Sequence, residues 1–327
     1  METISPQQWT YVSGWVSAQA EQLMDHRELL GLLEADDADE RASRLRSSVL
    51  FLDAPATDDL PDRVSDAFGA YVRRIGDASP DDRIADLFLA ERDWEEFRAF
   101  AKARVIRSDE TARDRGQEES SRFEACLREE TEDPRMQPFA DALAHIEAAC
   151  PSEGDRAGWI DGVVDAHEAA MLMDLATALG SEALQDWVRT WTALRAGLSL
   201  IRARRIGWDA SELLAQWRDA GFASEDLTVL AEGPDSAWAL ALERLGLPGA
   251  AAALAEDEPT VQLALRIDDG VARRAADASG IPFGPERVFA FLWAVRSEAI
   301  NLRLLLNAAE YGIPETRVEA AMRTNYV

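Results

Sequence analysis

The sequence predicts an all-α protein, and three observations lead to this fold class. Apolar residues recur with helical spacing in most segments, the strong helix formers alanine and leucine are abundant, and no hairpin turn joins two alternating segments. The 327 residues suffice for two or three ordinary domains, and 47% hydrophobic residues suffice for sizeable cores. We therefore expect helices packed against helices along the chain.

In the first half, helices are predicted within residues 13–35 and 88–105. The first segment has room for one long helix and a short second one, and the second carries an apolar stripe of Phe88, Trp94, Phe97 and Ala101. Ser79 is a predicted helix cap with Pro80 at the first helical position. Residues 107–122, rich in Arg, Asp, Glu and Ser, are the predicted linker or exposed loop.

In the second half, residues 187–206 show the clearest helical period. Five apolar residues follow spacings of 4, 3, 4 and 3 and therefore share one face: Trp187, Trp191, Leu194, Leu198 and Ile201. Gly221 and Ser224 are a predicted C-terminal cap and a predicted helix start. Residues 261–267 alternate partly like a strand, but the residues after Asp269-Gly270 do not alternate.

Residues 288–327 form a predicted long amphipathic helix that breaks at Gly312-Ile-Pro314 and restarts. Glu298, Asn301 and Arg303 interrupt the apolar run of this helix. Buried polar groups need hydrogen-bond partners and usually find them within the fold, so we favour an internal network over contact with another protein.

The sequence offers little for catalysis. It contains no phosphate-binding glycine loop and no serine nucleophile elbow, and Met171 stands where a zinc helix starting at His167 needs its second histidine. A net charge of −27 repels nucleic acid. We expect no enzyme activity, no metal and no cofactor. An enzyme using acidic residues with a divalent metal is the least favoured alternative, which metal-dependent thermal stabilisation would support.

Arginines concentrate near residue 200, at Arg195, Arg202, Arg204 and Arg205. One interpretation is a docking patch for a carboxylate-rich partner. The favoured one is cations at a helix C-terminus with ion pairs inside the molecule.

Three helical segments resemble one another, with aromatic residues early and a basic or amide residue late. Their matching positions Lys102, Arg202 and Asn307 lie 100 and 105 residues apart, each close to a third of the chain. We interpret this as a weak internal repeat, and the alternative is a chance likeness between amphipathic helices.

The motifs Glu298-x-x-Asn301-Leu302-Arg303, Gly312-Ile-Pro314-Glu315 and Tyr326-Val327 resemble the C-terminal signature of the C-type subunits of archaeal and bacterial A/V-type ATPases, a family that includes the d-type subunits of eukaryotic V-ATPases. Tyr11-Val-Ser-Gly14 resembles the family's opening segment, and Arg202-Ala203 its internal repeat. The chain departs from the family pattern at Trp15, where arginine is typical, and at Ala196-Gly197, which replaces an Asn-Leu pair.

The resemblance implies three similar helical domains in a pseudo-threefold, funnel-shaped arrangement, and we predict them at residues 1–107, 108–215 and 216–327. It implies a non-catalytic central-stalk subunit of a rotary V/A-type ATPase, coupling the stalk to the membrane proteolipid ring for H⁺ or Na⁺ transport. The implied partners are the D and F type stalk subunits and that ring.

The implied location is the cytoplasmic face of the membrane. We see neither a signal peptide nor a membrane span in the sequence, and we expect a monomer when the chain is isolated. The alternative function is a free-standing helical scaffold that binds a basic partner. Candidate structural or interface residues are Arg202, Arg204, Arg205, Glu298, Asn301 and Arg303.

Overall fold

The computed structural model describes residues 4–35, 37–51, 60–106, 123–124, 134–152, 155–222, 224–277 and 280–324. Helices dominate these ranges and no β-strand occurs within them, which confirms the predicted all-α fold class. None of the helices in these ranges combines the length and the apolar character that crossing a membrane requires.

The α-helices are numbered in chain order, and short 3₁₀ helices at Pro6–Trp9, Pro134–Met136 and Asp235–Ala237 supplement them. Their bounds are α1 Thr10–Ala20, α2 His26–Leu30, α3 Ala38–Leu45, α4 Leu60–Ala78, α5 Arg83–Ile106, α6 Gln137–Ala149, α7 Arg156–Ala178, α8 Glu182–Arg205, α9 Ala210–Asp219, α10 Glu225–Glu232, α11 Trp238–Arg244, α12 Ala250–Leu254, α13 Pro259–Asp277, α14 Pro285–Tyr311 and α15 Glu315–Glu319.

The chain divides into two compact units. Unit 1 comprises Met1–Phe88, Ala176–Trp187 and Val261–Val327, and unit 2 comprises Leu89–Leu175 and Val188–Thr260. Units defined by contacts and repeats defined by sequence need not share boundaries. The three domains implied by the family resemblance therefore stay a prediction, as does their pseudo-threefold arrangement.

In unit 1, α14 is the central helix and packs against α1, α2 and α4. Its buried face is aromatic near the N-terminus, where Phe289 contacts Phe88 and Trp187 with ring centroids 5.1 and 5.6 Å apart. Trp293 stacks on Phe289 at 5.8 Å. Burial of these large side chains supplies much of the hydrophobic stabilisation of the unit.

In unit 2, the short helices α9 to α12 pack sequentially against one another. A separate aromatic cluster joins α5 and α6. The ring centroids of Trp94 and Phe139 are 4.3 Å apart, and the ring centroid of Phe97 lies 5.4 Å from those of Phe139 and Phe123. The apolar stripe predicted for residues 88–105 faces inward, since Phe88, Trp94, Phe97 and Ala101 are all buried.

The predicted break after the last long helix is confirmed. Gly312 ends α14 in the left-handed conformation, with φ 64°, which glycine adopts without a steric penalty. Gly221 ends the helical turn after α9 in the same way, with φ 91°. Ser224 caps α10, because its side chain accepts a hydrogen bond from the Leu227 N–H at 3.0 Å.

The partial strand pattern at 261–267 was misleading, because this segment belongs to helix α13. Leu263, Ile267, Val271 and Ala275 are buried at intervals of four residues, which is a helical period. Leu265 is also buried and produces the local alternation.

The predicted helix start at Ser79-Pro80 was wrong. The Ser79 hydroxyl instead donates to the Ile75 carbonyl at the end of α4, at 2.7 Å, and α5 begins at Arg83. The Asp81 carboxylate accepts from the Arg83 N–H at 3.1 Å and also pairs with the Arg83 side chain. The predicted loop at 107–122 and the Tyr326-Val327 motif lie outside the described residues.

Candidate functional site

The three polar residues predicted from the last long helix lie on different faces of α14. Glu298 and Asn301 are three positions apart, so they share a face, and both side chains are fully buried. Arg303 lies five positions after Glu298 and is exposed. The structure therefore brings two of these residues onto one face and directs the third away from it.

The Glu298 carboxylate ties α14 to the N-terminal helices of unit 1. Its Oε2 accepts a hydrogen bond from the Met24 backbone N–H at 2.8 Å, and its Oε1 accepts one from Ser48 Oγ at 2.5 Å. Met24 precedes α2 and Ser48 follows α3, so one side chain fixes two connections that are 274 and 250 residues away in sequence.

The charge of Glu298 is only partly compensated. Burial raises the pKa of Glu298 to about 7, although the hydrogen bonds from Ser48 and Met24 oppose the rise, and the nearby Glu28 adds to it. Near neutral pH this carboxyl group therefore exists in both protonation states.

Asn301 fixes the segment that follows α15. Its Nδ2 donates to the Arg323 carbonyl at 2.9 Å, and its Oδ1 accepts from the Arg323 N–H at 2.8 Å. The Arg323 guanidinium then pairs with Asp268 on α13, with Nε and Oδ2 3.2 Å apart. The paired amide and backbone groups leave neither partner unsatisfied in the interior.

The arginines near residue 200 do not form one surface. Arg204 lies over the Trp238 ring, 4.9 Å from its centroid, donates to the Gly233 carbonyl and pairs with Asp235 at 2.8 Å. It therefore joins α8 to the α10–α11 connection. Arg202 and Arg205 are exposed at the end of α8.

Arg195 is a half-buried structural partner within unit 2, with 28% of its side chain exposed. Its Nη1 and Nη2 donate to the two carboxylate oxygens of Glu168 on α7, at 3.0 and 3.1 Å. Burial opposes the charge of Arg195, but the adjacent Glu168 carboxylate raises the pKa of the guanidinium. The side chain also lies over the Trp191 ring, 5.2 Å from its centroid.

Arg195 and Arg202 lie seven positions apart on the same side of α8 and line one charged cleft of about 540 Å³ in unit 2. The basic residues of α5 in this cleft are paired with acids of α7: Arg98 with Asp165 at 2.6 Å, and Lys102 with Asp161 at 2.6 Å. The cleft walls thus carry both signs of charge, and Arg202 is its exposed cation.

Sequence reasoning missed the contact between two histidines. His145 on α6 and His167 on α7 meet with Nδ1 and Nε2 3.3 Å apart. Burial lowers the pKa of His167, and His145 lowers it further. Met171, which replaces the second zinc ligand, accepts a hydrogen bond from the Trp94 indole at 3.3 Å. Within the described ranges, no three His, Cys, Asp or Glu side chains are close enough to hold a metal ion.

Replacing Glu298 with glutamine is expected to stabilise the protein above pH 7. The pKa of Glu298 in the folded protein, about 7, exceeds the ordinary value of 4.5, so the fold favours the protonated carboxyl group. The contribution of Glu298 to the unfolding free energy is therefore fully present below pH 4.5 and is lost as the pH rises through 7. The loss corresponds to roughly 3 kcal/mol. Glutamine stays neutral, and its amide can accept from the Met24 N–H and donate to Ser48 Oγ.

The measurement is urea unfolding of Glu298→Gln and the parent chain between pH 5.5 and 8.5. The variant should show a flatter dependence of the unfolding free energy on pH. Glu310→Gln, on an exposed position of α14, is the matched control and should follow the parent. Parallel curves for Glu298→Gln and the parent would show that Glu298 does not titrate in this range.

A family model described as ATP synthase (C/AC39) subunit matches residues 12–321, which include the described helices from α2 to α15 and most of α1. No curated protein matches the chain. The family match confirms the resemblance carried by the C-terminal motif, and the family is a non-catalytic part of a membrane-associated complex. The chain belongs to the C/AC39 family of V/A-type ATP synthase subunits.

Proposed function

We propose that the chain is the central-stalk component that couples the stalk of a rotary ATPase to the membrane proteolipid ring, during H⁺ or Na⁺ transport. The observation that carries this proposal is the family match over residues 12–321. The three-domain, pseudo-threefold funnel predicted from the sequence is part of the proposal, because a socket for a rotating stalk needs a central opening.

The internal bonding of unit 1 supports a mechanical role. Glu298 connects α14 to segments more than 200 residues away through buried hydrogen bonds, and Asn301 connects it to Arg323, 22 residues away, through half-buried ones. Hydrogen bonds between polar groups inside a packed core make the core rigid and specify one arrangement. A protein that transmits torque requires this, since a loosely packed helix would yield under load.

The partners in this proposal are the D and F type stalk subunits and the proteolipid ring, and the chain would reach the cytoplasmic face of the membrane through them. Arg202 and Arg205 are the residues we assign to stalk contact. Both are exposed, and neither forms a salt bridge with another described residue. Exposed cations on an acidic protein favour a partner that presents carboxylates at that position.

The direct test is binding of the isolated chain to a matched D and F type heterodimer, followed by addition of the purified proteolipid ring. Co-elution of all components in size-exclusion chromatography at several salt concentrations is expected. No association with the heterodimer or with the ring under any of these conditions would contradict the proposed function.

Charge reversal tests the assigned stalk contact separately. The double variant Arg202→Glu and Arg205→Glu is expected to weaken heterodimer binding roughly threefold to tenfold at low salt, with a smaller effect at high salt, because exposed ion pairs are weak and screened. Arg317→Glu, at an exposed position of α15, is the matched control. Equal binding by both variants would remove α8 from the interface and leave the coupling role standing.

A further inference from the structure

A second cavity in unit 2 differs from the charged cleft in size and composition. Its volume is about 200 Å³, and it is lined by the start of α7, the end of α8 and the start of α9. The residues that give it chemical character are two tryptophans, three acids and one amide: Trp159, Trp208, Asp155, Asp209, Glu212 and Gln216.

The Trp208 indole is held in place by the backbone around it. Trp208 follows the left-handed turn at Gly207, and the backbone N–H of Trp208 donates to the Ala203 carbonyl at 2.8 Å. Its ring packs directly on Gly158, where a Cβ atom would lie 1.9 Å from Cη2. Although held in this way, Trp208 keeps 41% of its surface exposed. An indole that is both fixed and exposed is a preorganised aromatic surface on which a ligand can stack.

The charge of the cavity is negative. Asp155 and Asp209 each use Oδ1 to cap a helix, accepting from the N–H groups of Gly158 and Ser211 at 2.9 Å. The N-termini of α7 and α9 contribute about half a positive charge each, which three full carboxylate charges outweigh. No lysine or arginine is among the described residues that line the cavity.

Gln216 contributes a buried amide to this lining. The residue is 7% exposed, and its Nε2 donates to the Trp159 carbonyl at 3.5 Å. Its Oε1 is directed at Gly162 on α7, where a Cβ atom would lie 2.1 Å from it, so this oxygen belongs to the packing between α7 and α9. The charged groups that line the cavity are the three carboxylates beside the Trp208 indole.

We propose that this cavity binds the side chain of an arginine presented by a protein partner. A guanidinium group is planar, stacks on indole faces, and donates several hydrogen bonds to carboxylates, which matches the indoles and acids of this lining. A volume of about 200 Å³ suits one side chain and falls below the usual range for small-molecule sites. Ile206, two residues before Trp208, is 62% exposed and offers apolar area for the partner's flanking residues.

This binding site is independent of the rotary ATPase role. A net charge of −27 attracts basic proteins of many kinds, and the cavity requires only that a partner present an arginine. The isolated chain with synthetic ligands suffices to test the site, so a negative result would leave the proposed coupling function untouched.

The first experiment is ¹⁹F NMR of the full chain, in which all ten tryptophans are replaced with 5-fluorotryptophan. Trp208→Phe assigns the Trp208 resonance. N-acetyl-arginine amide is expected to shift that resonance saturably, whereas N-acetyl-citrulline amide, the neutral isostere, should not. An absent shift, or equal shifts with both compounds, would overturn the proposal.

Variants then test the two recognition elements. Trp208→Ala is expected to weaken binding of N-acetyl-arginine amide roughly fivefold to thirtyfold. Asp209→Asn with Glu212→Gln should also weaken it, and asparagine at 209 retains the helix cap. The controls are Tyr311→Ala and Glu243→Gln, which change exposed residues outside the cavity and should bind as the parent does. Unaltered binding in both cavity variants would place the ligand elsewhere and refute the assignment.

A third measurement distinguishes a protein partner from a free cation. The peptide acetyl-Gly-Leu-Arg-Leu-Gly-amide is expected to bind at least tenfold more tightly than N-acetyl-arginine amide. Ile206→Ser should reduce the advantage of the peptide and leave binding of the single amino acid unchanged. Equal affinities for the peptide and the blocked amino acid would contradict the assignment of a protein partner.

Discussion

Leu302→Asp is expected to abolish cooperative folding of unit 1. The Leu302 side chain is 0% exposed and lies on α14, the helix against which α1, α2 and α4 pack. The substitution removes a buried apolar side chain and places a carboxylate in an apolar environment. The combined loss is roughly 5 kcal/mol or more, which is comparable to the entire stability of many domains.

Thermal unfolding followed by circular dichroism, together with hydrogen exchange of peptides from α4 and α14, would measure this loss. Arg303→Asp is the matched control, because it introduces the same group at the next residue, which is exposed. The control should retain a melting temperature close to that of the parent. A Leu302→Asp protein with the parent's melting temperature and exchange protection would show that the position tolerates charge.

The sequence predicts α14 well because its signals are local. Its apolar spacing, the helix-ending Gly312 and the restart after Pro314 all depend on neighbours within a few residues. The bonding partners of Glu298 could not be predicted in this way. Met24 and Ser48 belong to no recognisable motif, and only the tertiary fold brings them to the Glu298 carboxylate, more than 200 residues away in sequence.

The arginines near residue 200 show why composition alone cannot define a surface. A cluster in sequence is spread around a helix by about 100° per residue, so neighbours such as Arg204 and Arg205 face different surroundings. Arg204 has partners within the fold, while Arg205 is exposed. The favoured interpretation, internal ion pairs, applies to Arg195 and Arg204, and surface exposure applies to Arg202 and Arg205.

The Trp208 cavity depends on geometry that the sequence does not signal. Glycine at position 158 suggests flexibility in a helix, yet here it provides the flat surface on which the Trp208 ring packs. The three acids come from two helix starts separated by more than 50 residues. In the sequence, each acid is explained as a solvent-exposed residue at a helix start. The cavity becomes recognisable only in the fold, where the three acids lie around two indoles.

Arg195→Met is expected to lower the free energy of unfolding of unit 2 by roughly 3–5 kcal/mol, because it leaves the buried Glu168 carboxylate without its bidentate partner. Methionine retains an apolar stem to pack on the Trp191 ring, so the loss reports charge more than volume. Glu168, 2% exposed, would be left beside the like charges of Asp165 and Glu91, with Arg98 as a remaining nearby cation.

The pH dependence separates this cause from a general packing defect. Burial raises the pKa of Glu168, and Arg195 opposes that rise, so the substitution moves the folded-state pKa further above the unfolded one. Stability of the variant should therefore recover as pH falls and Glu168 takes up a proton, in urea unfolding between pH 5.5 and 8.5. Arg195→Met with Glu168→Gln should restore stability at pH 8, because no buried charge remains unpaired. A double variant as unstable as Arg195→Met would assign the loss to packing around Trp191 instead of to the stranded carboxylate.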